Sequence, residues 1–174
     1  MPDQLQEAKI FANKFRYTGD KLVKPDKIDP NLYDEISNKF YQENLLISDA
    51  LTPSISKLIN TVCKRLKISS ESIQAFVYPS EQLQAHCIEG SLDKTILRFS
   101  SHLFELLNKD EIEFVVGHEI GHFLLEHGNI HHDEEDAHFQ SIMQKRFQEI
   151  SADRIGLIAC KSIGKAINAM LKLS

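Results

Sequence analysis

Cysteine is scarce in this chain of 174 residues: Cys63, Cys87 and Cys160 are an odd number, and no pair has C-x-x-C spacing. That argues against a disulfide framework and against a cysteine-built zinc site, and it makes a reduced, cytoplasmic protein the expectation. Long hydrophobic runs are missing as well. No stretch approaches the roughly 18 apolar residues needed to cross a bilayer. The start, Met1 to Glu7, has neither the basic residues nor the apolar run of a signal peptide. An excess of positive charge is absent too. The formal net charge of −5 recommends neither nucleic acid nor an anionic membrane surface as a partner. Internal repeats and low-complexity tracts are lacking, and the length suits one domain better than two. The expectation is therefore a single globular domain over residues 1–174.

What is present is an uneven distribution of histidine, six of eight falling between His118 and His138. The surrounding pattern divides the chain. Residues 3–17 have helical spacing, and a Gly/Pro-punctuated segment from Gly19 to Pro30 separates them from the rest. This N-terminal helix and loop (1–30) could act as a lid over a cleft, with ordinary docking on the domain as the plainer role. Residues 31–67 favour two helices with a break at 48–53, where Pro53 suits a first helical turn. After Ser70 the texture changes. Ile73–Tyr78, Leu83–Ile88 and Thr95–Phe99 are short β-branched or aromatic runs bounded by turn residues, and read as strands. Helical spacing returns at Ser101 and continues to the end, an order that implies an α+β domain.

The clearest helix lies between Asn108 and Gly128. Asn108 and Glu111 have the spacing of a capping box, and Gly128 is placed to stop the helix. Between them the sequence is apolar nearly all round, which belongs at the centre of a domain. Yet this helix carries His118, Glu119 and His122, groups costly to bury without partners. A bound metal resolves the conflict. His118-Glu119-Ile120-Gly121-His122 is an H-E-x-x-H motif, in which i and i+4 imidazoles on one helix face can reach a single zinc ion. Glu119 sits one step round the helix, offset from the ligand stripe, and is a candidate general base for the hydrolytic water. Composition alone predicts roughly 0.03 chance matches to this pattern in such a chain. Gly117 and Gly121 each weaken the helix by about 1 kcal/mol relative to alanine, which implies close approach of another backbone.

Zinc with an open reactive position needs a third protein ligand. A second helix, about 136–161, places Glu149 and Asp153 on one face at i and i+4. Packed against the first helix, Glu149 can be that ligand and Asp153 can accept from the distal nitrogen of a ligating histidine. On their own these two residues also read as solvated charges paired with Lys145 or Arg154. His127, His131, His132 and His138 are assigned to a solvated loop and helix start. Tyr78, His86 and His102 are assigned structural roles, and Cys87 is not assigned a metal.

Asp110 to His122, followed by Glu149-Ile150-Ser151-Ala152-Asp153-Arg154, resembles the M48 (Ste24/HtpX-like) gluzincin peptidases, over roughly residues 70–172. The resemblance implies a zincin-like α+β fold, with a small β-sheet packed on the active-site helix, further helices, and a catalytic core at 70–174. It implies one zinc ion per chain on His118, His122 and Glu149, with Asp153 supporting a ligand histidine and Glu119 as catalytic base. Gln74-Ala75-Phe76 is similar to the family's Asn-Ala-Phe edge strand, which would bind extended peptide by sheet addition, with Gln in place of Asn. Many family members are membrane-embedded. This chain looks more like the soluble minigluzincins, or like a catalytic domain cut from a longer protein, since it ends in helical rhythm. The implied activity is endopeptidase hydrolysis of extended or unfolded polypeptides. The alternatives are an ImmA/IrrE-like regulatory protease with one specific substrate, and a non-proteolytic or latent zinc-binding module.

Overall fold

The computed structural model describes residues 2–21, 28–90, 93–128 and 137–173. Among them the order is α1 (Pro2–Asn13), α2 (Pro30–Glu43), β1 (Leu45–Leu46), α3 (Pro53–Arg65), β2 (Ile73–Tyr78), β3 (Ala85–Glu89), β4 (Thr95–Ser100), α4 (Ser101–Leu106), α5 (Lys109–Leu124), α6 (Ala137–Cys160) and α7 (Ile163–Leu173). The α+β expectation holds. The predicted run at 73–78 coincides with β2, and Pro53 stands at the first turn of α3. The short strand β1 has no counterpart in the sequence reading, because two residues are too few to show a period.

The sheet is mixed, in the order β1-β2-β4-β3, with β2 and β4 parallel and the other two pairings antiparallel. Alternation along the strands splits the side chains between two cores. Ala75, Leu97 and Phe99 join the main cluster with residues of α1, α3, α5, α6 and α7. Phe76 and Ile96 face the other way and pack with Tyr33 and Phe40 of α2. The N-terminal helix belongs to the main core through Leu5, Ala8 and Ala12.

Helix α5 runs through the middle. Asn108 Oδ1 accepts from the N–H groups of Asp110 and Glu111, and Glu111 Oε2 accepts from Asn108 N at 2.8 Å, so the predicted capping box is formed. Val116, Ile120, Leu124 and Leu125 are fully buried, each contributing about 1.5–3 kcal/mol relative to exposure. Two acids of its first turns are also buried and paired: Glu111 with Lys172 at 2.8 Å, and Glu113 with Arg65 of α3. The stop differs from expectation. The helix ends at Leu124, not at Gly128, because Glu126 takes the left-handed conformation at φ 55° and His127 N donates back to His122 O at 3.0 Å. This is a Schellman closure with glutamate where glycine is usual, and Lys9 of α1 pairs with that glutamate at 2.8 Å. Helix α6, expected over about 136–161, is described over Ala137–Cys160.

Helices α5 and α6 cross in close contact, as the two glycines of α5 implied. A Cβ on Gly117 would stand 2.2 Å from Ala159 Cβ, and one on Gly121 would stand 3.0 Å from Ile155 Cβ. Gly156 of α6 answers them, since a Cβ there would meet Phe114 O at 2.8 Å. This contact holds the middle of α6 beside the His-bearing face of α5.

Candidate metal centre

On α5 the His118 and His122 side chains, one turn apart, turn their Nε2 atoms to within 3.0 Å of each other. Glu149 of α6 meets both, its Oε2 at 3.3 Å from His118 Nε2 and its Oε1 at 3.5 Å from His122 Nε2. Three side chains thus form a triangle of donors whose nearest approaches are 3.0–3.5 Å, the two histidines meeting different oxygens of Glu149. Ligands about 2.0–2.1 Å from a tetrahedral ion stand about 3.3 Å apart, and the nearest approaches of the three side chains bracket that spacing. The donor set, two imidazoles and a carboxylate, is likewise one that zinc accepts. Asp153, one turn beyond Glu149, meets His118 Nδ1 at 2.9 Å.

Electrostatics favour a cation at this place. Burial opposes charge on His118, but its hydrogen bonds to Asp153 and Glu149 outweigh burial and lift its pKa to about 10. Burial and the neighbouring His118 charge push His122 down, which leaves its lone pair free. The hydrogen bond from His118 holds Glu149 below the usual carboxylate range, against burial. Glu119 is 8% exposed, and burial pushes its pKa up to about 7. The Glu149 and Asp153 carboxylates beside the imidazoles supply negative charge for a dication to balance.

The cluster opens on a cleft of about 390 Å³ whose walls include Ala85, Val115, Glu119, Glu149 and Met170. Glu149 keeps 58% of its side chain exposed toward solvent, so the triangle is open on one side. Strand β3 lies over α5 at the rim. It pairs with β4 along one side, and it is the terminal strand of the sheet on the side of the cleft. The expected edge strand, Gln74-Ala75-Phe76, is elsewhere. It belongs to β2, flanked by β1 and β4, with Ala75 O accepting from Ile47 N at 2.8 Å. Phe76 is fully buried against α2, and Gln74 Oε1 accepts from Ser37 Oγ. The physical reason is strand order: β4 docks parallel on β2, and β3 returns antiparallel outside it.

Two residues around the cluster escaped the sequence reading. His127, assigned to a solvated loop, is 7% exposed and meets His122 Nδ1 at 2.9 Å through its own Nδ1. Its Nε2 meets Asp20 Oδ2 at 2.9 Å. His131 and His132 lie outside the described residues, as does the side chain of His138. Cys87 is hydrogen-bonded to Thr95, and burial together with the Glu119 charge pushes its thiol pKa up, which keeps it a thiol. Tyr78 OH donates to Gln84, and His102 pairs with Glu105 at 3.0 Å.

Residues 49–134 match the family model of peptidase family M48. The chain carries an M48-family metallopeptidase domain. The match covers α3, the strands from β2 to β4 and the whole of α5, and it ends ahead of Glu149, so the place of α6 in the centre rests on the geometry above. No curated protein and no solved structure matches the chain. A metallopeptidase takes a peptide substrate and a metal, and the M48 domain has a His/His/Glu cluster of suitable size for that metal. No helix among its described residues is long and apolar enough to cross a membrane.

Proposed function

We propose that the M48 domain is a zinc-dependent endopeptidase acting on extended or unfolded polypeptides, with one zinc ion held by His118, His122 and Glu149. The observation that carries this reading is the donor triangle, open on one side to a cleft with Glu119 in its wall. When bound, zinc supplies a Lewis acid that polarises the scissile carbonyl and lowers the pKa of water. The chain's own residues supply the rest. Glu119 accepts the proton of the attacking water and delivers it to the leaving amine. Asp153 accepts the Nδ1 hydrogen of His118, which holds the ring with Nε2 toward the metal. Strand β3 offers main-chain groups along its open side, to which a substrate in extended conformation adds as a further strand. Main-chain recognition of this kind requires an unfolded segment and places little demand on its side chains.

The test is a zinc titration beside cleavage of an unstructured protein such as casein. The wild-type protein is expected to bind one zinc per chain and to cleave. Asp153→Ala should weaken zinc binding by about 10–100-fold, as loss of a ligand's hydrogen-bond partner does elsewhere. Glu149→Ala should lose more than that, because a donor atom itself is gone. Wild-type zinc content in Glu149→Ala would remove Glu149 from the site, and an unchanged affinity in Asp153→Ala would do the same for the proposed support of His118.

A further inference from the structure

His118 has a carboxylate on its distal nitrogen, and His122 has an imidazole there instead. Donor and acceptor counting fixes what that imidazole does. With His122 Nε2 presenting its lone pair to the donor triangle, the ring hydrogen must sit on Nδ1. Its partner at 2.9 Å is His127 Nδ1, which must therefore accept. The hydrogen of His127 is then on Nε2 and is donated to Asp20 Oδ2, also at 2.9 Å. Each ring nitrogen has one partner with the correct role, and the path ends on a carboxylate.

That carboxylate is 3% exposed, and an ion so buried is costly unless fully bonded. Asp20 meets the condition. Ser151 Oγ of α6 donates to Oδ2 at 2.7 Å, Gln144 Nε2 donates to Oδ1 at 3.1 Å, and the Arg16 guanidinium lies 3.1 Å away. Burial works to raise its pKa, but these hydrogen bonds and charges hold it below the usual range. The segment bearing Asp20 is itself tied to the end of α5: Arg16 donates to Leu125 O at 2.6 Å, and Lys9 pairs with Glu126. The left-handed turn at Glu126 is what swings His127 back under His122.

We infer that His127 and Asp20 are positioning residues for the ligand His122, which makes the N-terminal segment around Arg16–Asp20 a structural part of the metal centre. The inference rests on the zinc site proposed above. It gives both ligand imidazoles the same arrangement, a carboxylate orienting the ring, with one extra imidazole spanning the greater distance on the His122 side. Removing the carboxylate or the intermediate ring frees His122 to rotate and lowers metal affinity.

The experiment is zinc competition against a chromophoric chelator with the full chain, for wild type, Asp20→Asn, His127→Ala and His127→Gln. Thermal unfolding of each metal-free protein and visible spectra of each cobalt-loaded protein are recorded alongside. Asp20→Asn and His127→Ala should each bind zinc about 10–100-fold more weakly and shift the cobalt spectrum. His127→Gln should recover most of the affinity, since its amide oxygen can accept from His122 and its amide N–H can donate to Asp20. Wild-type affinity and spectra in Asp20→Asn and His127→Ala would overturn the inference while leaving the zinc site standing. Equal weakening in His127→Gln and His127→Ala, matched to their loss of metal-free stability, would also overturn it by showing a merely structural role. A wild-type protein that binds no zinc would instead sink the site reading on which the inference rests.

Discussion

Glu119→Gln is expected to keep its zinc and to lose casein cleavage by about 10²–10⁴-fold, the range for removing a general base. The substitution keeps the shape of the side chain and takes away only its capacity to accept a proton. None of the three donors of the triangle is touched, so zinc content should stay at the wild-type level. The environment of Glu119 suits the role: it is almost wholly buried yet part of the cleft wall, and burial lifts its carboxyl pKa to about 7. A dication beside it favours the ionised form and moves that value down. The base works deprotonated, so wild-type kcat/KM should fall on the acid side, with a limb lying below about pH 7. In Glu119→Gln that limb should disappear together with most of the rate. Undiminished cleavage by the variant would take Glu119 out of the reaction.

Gly117→Ala should produce the largest loss of stability of any single methyl addition on α5. In free helix the change would gain about 1 kcal/mol. Here the new Cβ would stand 2.2 Å from Ala159 Cβ and 3.1 Å from Gly156 Cα, inside a fully packed helix crossing. Overpacking of this kind costs about 1–3 kcal/mol or somewhat more. A net loss of about 2 kcal/mol would lower the melting temperature by about 4–8 °C for a chain of this length. The same displacement moves α6, which carries Glu149 and Asp153, so zinc affinity should fall with stability. Calorimetry of Gly117→Ala and of Gly117→Ala/Ala159→Gly checks the cause. The double variant moves one methyl from α6 to α5 and should recover much of the loss, whereas additive losses would show that the close approach at Ala159 is not the reason.

Elements whose signal is local were legible before any coordinates. The cap at Asn108 and Glu111, the apolar circumference of α5 and the shared face of His118 and His122 all follow from backbone geometry over a few residues. The run at 73–78 became a strand with the expected bounds. The glycines of α5 announced a close neighbour, though not which one. Errors came where the outcome depends on distant chain. Gln74, Ala75 and Phe76 resemble the family's edge strand, but whether a strand is at an edge depends on what pairs with it, and β1 and β4 pair with β2. Gly128 is a good stop by composition, yet Glu126 turns first, helped by Lys9 from the other end of the chain. His127 could have been suspected from its position five residues after His122, the spacing of a Schellman closure. Asp20 carries no signal at all, since its partner is 107 positions away.

The sequence by itself determined the chemistry of α5: two imidazoles one turn apart with a carboxyl group beside them, on a helix too apolar to lie on a surface. A helix repeats every 3.6 residues whatever surrounds it, so those relations survive any packing. The sequence also pointed to Glu149 as the acid, but only the tertiary structure brings it to both imidazoles, sets which strand borders the cleft and places His127 and Asp20 behind His122. Those are distances between segments far apart in the chain. They are set by how closely α5 and α6 approach at Gly117, by the order in which the strands pair, and by the burial of Asp20 between α6 and the turn that follows α5.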